Sequence, residues 1–267
     1  MKQAFSLRSL FTSLFAASLL VFTVSCSDDD DEVVCNPCPD TPVTTVPDSL
    51  AGKLVVSFNH TADGQALVLE TPTLPYSNSL AQPYKVTKLM YYISNVKLIN
   101  TQTGKTFAEP NSYHLIDLGA NKTSFSFTGI PVKSYDKIEF AIGVDSVANL
   151  STDKKGDLDP DHDMAWDWNT GYKFFVMLGF TSNNKGLVYH IGSNSNYKTL
   201  SFPLNQTVNF QKDKPVTANV TVNLNELFRN PNTIDFDTVF NFMGGPGAKM
   251  MAENYADDLF NITSISQ

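Results

Sequence analysis

The stretch Val216-Thr217-Ala218-Asn219-Val220-Thr221-Val222-Asn223-Leu224 alternates apolar and polar side chains without a break. Successive side chains of a strand point to opposite faces, so this pattern describes a strand with one buried and one solvated face. Such alternation belongs to an antiparallel sheet. The same period of two runs through Leu54, Val56, Phe58 and His60, with Val55, Ser57 and Asn59 facing the other way. Ile138, Phe140, Ile142 and Val144 are also expected to share a face. Further strands are predicted at 89–99, 113–118, 123–128, 172–179, 187–192 and 199–205, with Pro and Gly between them. Helical spacing occurs after Gly245-Pro246-Gly247, where Met251, Tyr255 and Leu259 recur four apart beside Ala252, Ala256 and Phe260. The predicted fold is all-β: an antiparallel β-sandwich with long loops and a short C-terminal helix, over residues 51–267.

The rest of the chain is organised around export. Of 267 residues, 42% are hydrophobic and 17% charged, an ordinary globular composition. The formal charge of −8 leaves no basic stripe for a nucleic acid. That charge is localised, because residues 26–50 carry seven acidic and no basic side chains, whereas 51–267 carry 17 basic and 20 acidic. Lys2 and Arg8 precede an apolar run from Leu10 to Val24, too short to span a bilayer, so residues 1–25 are predicted to be a signal peptide. Thr23-Val24-Ser25-Cys26 resembles a bacterial lipobox, with Thr23 where Leu is usual. The match makes Cys26 the lipidated residue and the membrane a partner through its anchor; the alternative is an ordinary secreted protein cut near Ser25. Residues 26–50 form an acidic, Pro-rich tether. Its start, Ser27-Asp28-Asp29-Asp30-Asp31-Glu32, resembles the export signal of Bacteroidetes surface lipoproteins. The expected location is therefore the outer membrane, exposed on the cell surface, with a periplasm-facing lipoprotein as the alternative. Cys35 and Cys38 lack the His that haem attachment needs after the second cysteine, and one pair of thiols is too few for zinc. They form a small disulfide or stay idle in the stalk.

Few residues in the body offer chemistry. There is no Gly-x-Ser-x-Gly, no cysteine and no phosphate-binding Gly-rich loop, so an enzyme is not expected. His60 ends the inward face of the first strand, where its ring needs a hydrogen bond or a metal. His190, in Tyr189-His190-Ile191-Gly192, ends another strand. Two neutral imidazoles converging from strand ends could hold copper or zinc. His114 and His162 look more exposed. Asp157, Asp159, Asp161 and Asp163 alternate in one loop; such carboxylates suit calcium, although His162 stands where an EF-hand needs Gly. Met164, Trp166 and Trp168 fall at period two, as a hydrophobic core face or a carbohydrate platform. A surface glycan-binding or adhesion module and a calcium-stabilised structural sandwich are thus both open alongside a transition-metal site.

One resemblance covers most of the chain. Gly156-Asp157-Leu158-Asp159-Pro160, followed by Met164-x-Trp166-x-Trp168-x-x-Gly171-Tyr172, resembles the signature of the MbnP-like family. Phe58-Asn59-His60, Tyr91-Tyr92-Ile93-Ser94-Asn95-Val96, Gly143-Val144-Asp145, Tyr189-His190-Ile191-Gly192 and Met243-Gly244-Gly245 fit it in order. These are copper-associated proteins of methanobactin gene clusters, with relatives among Bacteroidetes lipoproteins. The resemblance implies a β-sandwich that binds copper through histidines and a kynurenine made from tryptophan, the oxidation being carried out by a di-haem partner of the cytochrome c peroxidase type. It makes His60 a ligand candidate, adds His190 by motif, and makes Trp166 or Trp168 the oxidation candidate, one of them close to His60. For the anchor, Cys26→Ala is expected to abolish metabolic labelling by palmitate and release the protein from membranes; unchanged labelling would refute lipidation at Cys26.

Overall fold

The structure, a computed structural model, describes residues 51–267 except Trp168. Cys26, Cys35, Cys38 and Trp168 lie outside the described residues. The strands run in the order β1 (Ala51–Ala62), β2 (Gln65–Ala66), β3 (Tyr76–Ser77), β4 (Pro83–Ile99), β5 (Thr106–Ala108), β6 (Tyr113–Asp117), β7 (Ser124–Pro131) and β8 (Ser134–Ile142). Then come β9 (Lys173–Thr181), β10 (Gly186–Gly192), β11 (Lys198–Asn209), β12 (Val216–Asn223) and β13 (Asn241–Phe242), helix α1 (Gly245–Asp257) and β14 (Phe260–Ser266).

Two sheets result. The smaller has the order β14-β12-β1, with β7 and β2 on the far edge of β1; the larger has the order β11-β8-β4-β9-β10-β13. Strand β4 organises the larger sheet. Along one edge it pairs first with β9, from Tyr84 to Tyr91, and then with β8, from Ile93 to Ile99. Along the other it meets β3, β6 and β5. Strands β8 and β9 therefore part company at Tyr92. Asn95, at φ 53°, lies in the register irregularity between Ser94 and Lys97, which faces the last residues of β8.

The main core lies between the sheets. Leu54, Val56 and Phe58 of β1 and Val216, Ala218, Val220 and Val222 of β12 are buried there, as their period of two predicted. Facing them are Leu89, Tyr91 and Ile93 of β4 and Phe175 and Met177 of β9. A fully buried Phe or Leu contributes about 1.5–3 kcal/mol relative to exposure, so this layer dominates stability. A second, smaller cluster covers the opposite face of the large sheet. It contains Met90, Tyr92, Leu115, Phe174 and Val176, capped by Val144, Leu158, Met164 and Tyr172 from the long loop between β8 and β9.

The structure departs from the sequence expectation at three places. Strands β1 and β12 pair in parallel, Leu54 opposite Val216 through Thr61 opposite Asn223, and β10 pairs β13 in parallel, so both sheets are mixed. Side-chain alternation reports which faces are buried, not the direction of the neighbour. The helix ends at Asp257, and a final strand follows it: Phe260, Ile262 and Ile265 lie opposite Val222, Val220 and Ala218. Val144 leaves the face of Ile142 because the chain turns at Gly143 (φ 108°), which sends it to the outer cluster.

Gly179 of β9 is fixed by a close approach, since a Cβ there would lie 2.1 Å from the carbonyl oxygen of Lys85. A backbone atom cannot swing away as a side chain can. Gly179→Ala should therefore destabilise the domain by about 2 kcal/mol, whereas Gly186→Ala, which meets open space, should cost far less. Urea unfolding midpoints compare the two, and equal midpoints would contradict this packing.

Candidate functional site

The two singled-out histidines sit on opposite sides of the large sheet. His60 lies on the inward face of β1 between Phe58 and Ala62, 5% exposed, and its Nε2 lies 2.9 Å from the Tyr91 hydroxyl. Tyr91 belongs to the inter-sheet core, as do Tyr189 and Ile191, the residues flanking His190. By alternation the His190 ring faces the other way, toward the outer cluster, opposite Val176. The pair His60 and His190 therefore cannot share one ion. The expectation of converging imidazoles is corrected here: it counted strand ends, and spacing along the chain does not say which side of a sheet each end faces.

Trp166 comes to His190, not to His60. The segment from Met164 to Lys173 folds back as a narrow hairpin: Lys173 N–H donates to the Met164 carbonyl at 2.6 Å, and Trp166 N–H to the Gly171 carbonyl at 3.0 Å. This lays the indole against the end of β10. The ring centroids of Trp166 and His190 are 6.2 Å apart at an interplanar angle of 60°, an edge-on contact. Gly192 makes room for it, since a Cβ there would stand 2.7 Å from Trp166 Cζ2 and from the Tyr172 carbonyl oxygen. Lys173, 9% exposed, places its Nζ 5.8 Å from the Trp166 ring centre. Met164 is fully buried, whereas Trp166 is half-exposed. The shared face of Met164 and Trp166 is thus a half-covered edge of the outer cluster, not an open platform.

Electrostatics keep the imidazole at this edge neutral. Partial burial lowers the His190 pKa, and the positive charges of Lys173 and Lys88 lower it further against the pull of Asp167. A neutral ring nitrogen is what a transition metal requires. Burial likewise lowers the Lys173 pKa.

The four aspartates do not form a cage. Asp157 takes a 2.6 Å ion pair from Lys122 and accepts the Leu115 N–H at 2.8 Å. Asp159 accepts the Asp161 N–H at 3.1 Å, capping a single 3₁₀ turn, Asp161 points to solvent, and Asp163 meets Lys88 at 3.4 Å. Among the described residues, no three His, Cys, Asp or Glu side chains converge where they could hold a metal ion. The alternation was real, but it serves turn formation and single ion pairs. His114, expected to be exposed, bonds Glu109 at 2.8 Å and stacks on Phe125 with centroids 3.7 Å apart. Lys173 and Gly192 were missed as parts of the site. Lys173 directly follows the quoted motif and Gly192 closes the one containing His190, where a glycine reads as a turn at the strand end and not as room for an indole.

With this geometry in place, comparison decides the family. The sequence profile of the MbnP family matches residues 51–251. The chain belongs to the MbnP family. Among solved structures, MbnP from Methylosinus trichosporium superposes with a TM-score of 0.53 at 16% identity, covering 75% of this chain and 87% of that one. At that identity the likeness speaks for the fold. No curated protein matches the chain.

The buried His60 has a measurable signature. Desolvation lowers its pKa from 6.5 to about 4. Between those values the unfolded chain takes up a proton that the folded chain refuses, so stability falls as pH drops through this window. The loss attributable to His60 is about 3 kcal/mol. Urea unfolding of wild type and His60→Gln between about pH 7 and pH 4 should show the wild type losing that much more; parallel curves would refute a neutral, buried His60.

Proposed function

We propose that this protein is a cell-envelope lipoprotein whose MbnP domain binds copper at the edge formed by His190 and Trp166, after oxidation of that tryptophan by a di-haem peroxidase-like partner. The observation that carries this reading is the edge contact between the two rings, made possible by Gly192 and the hairpin of residues 164–173. The donor chemistry fits in a specific way. The unmodified side chains offer one neutral imidazole, too few donors for a stable copper site. Opening the indole to kynurenine adds an aromatic amine and a ketone beside that imidazole. Copper, when bound, would supply a soft Lewis-acidic and redox-active centre. This chain's own residues do the rest: His190 keeps a free lone pair, Lys173 and Lys88 oppose its protonation, and Tyr172, donating to the Leu158 carbonyl at 2.7 Å, fixes the base of the hairpin. His60 is better understood as the partner of Tyr91 than as a ligand. Anchoring through Cys26 would hold this site outside the membrane.

A second reading has one observation in its favour. A groove of about 490 Å³ beside Trp166 is lined by Asn149, Asn169, Thr170, Ser193 and Asn194, with no charged side chain. Amides, hydroxyls and one indole suit a neutral saccharide.

The test uses protein purified from its native host. Mass spectrometry of the peptide spanning 156–173 should show kynurenine at Trp166, and the protein should take up about one copper ion. His190→Ala should abolish uptake without changing the peptide mass, while His60→Gln should retain it. An unmodified Trp166, with binding lost in His60→Gln and kept in His190→Ala, would refute the assignment. A Trp166 fluorescence response to neutral oligosaccharides but not to copper would support the saccharide reading.

A further inference from the structure

The buried tyrosines differ in what their hydroxyls meet. Tyr92, Tyr172 and Tyr189 donate to the carbonyls of Asp157, Leu158 and Val239, Tyr255 donates to that of Asn196, and Tyr84 to the Asn225 side-chain carbonyl. A carbonyl accepts a hydrogen bond but cannot take the proton. Tyr113 donates to the Asp145 carboxylate, which already accepts from Asn95, Val147 and Ala148. Tyr91 is different: its hydroxyl sits 2.9 Å from an imidazole nitrogen, and both groups are buried between the sheets.

We propose that Tyr91 and His60 form a proton-coupled redox pair in the core. A strong one-electron oxidant removes an electron from the Tyr91 ring, and the phenolic proton moves from Oη to His60 Nε2. The products are a neutral phenoxyl radical, an imidazolium and the reduced oxidant. When an electron returns, the proton goes back. No bond other than O–H breaks, and N–H forms in its place.

Three features of the surroundings favour this chemistry. Burial pushes the phenol well above its ordinary pKa, so Tyr91 does not ionise beforehand and the proton must leave with the electron. Burial also holds His60 neutral at ordinary pH, so its ring keeps a nitrogen lone pair to receive that proton. The Tyr91 ring is shielded by Phe58, Phe175 and Phe260, with the Phe175 ring stacked 5.5 Å away, so a radical there is screened from water and small reductants. A route from the surface also exists. Trp166 lies beside Ala165, which bridges Tyr172; the Tyr172 and Tyr92 rings are 5.8 Å apart, and Tyr92 is the chain neighbour of Tyr91. Oxidisable rings thus run from the half-exposed indole to the core, and of the three tyrosines on that route Tyr172 and Tyr92 meet carbonyls while Tyr91 meets an imidazole. This inference is independent of copper at His190.

The experiment is flash-quench photo-oxidation of the full chain by a ruthenium tris-bipyridine oxidant, read by electron paramagnetic resonance. Wild type should give a neutral tyrosyl signal that is lost in Tyr91→Phe, a near-isosteric change that keeps the ring packing. In His60→Gln the signal should be lost or moved to a different tyrosine, with near-ultraviolet circular dichroism confirming the fold. In wild type exchanged into deuterium oxide, the radical should show a coupled deuteron donated by the imidazolium. An undiminished signal in Tyr91→Phe, an unchanged Tyr91 signal in His60→Gln, or no tyrosyl radical in folded wild type would overturn the proposal.

Discussion

The architecture depends on one strand having more neighbours than two edges usually allow. Seventeen residues of β4 run from Pro83 to Ile99, and one of its edges is shared in succession by β9 and β8. Where those two strands separate, the backbone groups near Tyr92 would be orphaned, and a buried unpaired carbonyl is costly. The Gly143 N–H closes that gap by donating to the Tyr92 carbonyl at 2.9 Å. The loop that begins there carries the aspartates, the hairpin and Trp166. The split in the sheet and the candidate site are therefore one feature: the chain leaves the sheet at the split and covers the outer face before re-entering as β9.

Covering that face divides the labour between the two sides of the sheet. The inner side is a conventional aromatic and aliphatic core, in which the His60 imidazole is held by a phenol. The outer side is thinner, made largely from loop residues, and ends in a half-exposed indole against an imidazole. A solvent-reachable pair at the margin of a small cluster is suited to exchange with a partner or ion, whereas the inner pair is suited to isolation.

Much of this was legible in the sequence because alternation is a strong signal. The buried face of β1 was correctly assigned from Leu54 to His60, and that of β12 from Val216 to Leu224. The family motifs were legible too, as the profile match bears out. What was not legible has physical reasons. Pairing direction leaves no trace in a strand's own alternation, so the parallel contact of β1 with β12 was unforeseen. Residues 260–266 continue an apolar spacing begun in the helix, which hid β14. The relation of His60 to His190 depends on which sheet face each reaches, and that is a property of the assembled fold. The aspartate loop misled because alternating carboxylates serve caps and lysine pairs as well as they serve ions.

The parallel pairing of β1 with β12 also has a kinetic side. The first strand of the domain finds its long partner more than 150 residues later, at Val216–Asn223, and β12 in turn is flanked by β14. Contacts so distant in the chain close late and slowly. Until the last third of the polypeptide is available, β1 has only β7 and the short β2 beside it, and its other edge stays bare. A chain that emerges in order, first strand first, would hold an unpaired strand edge and would need shielding against self-association until its C-terminal end caught up.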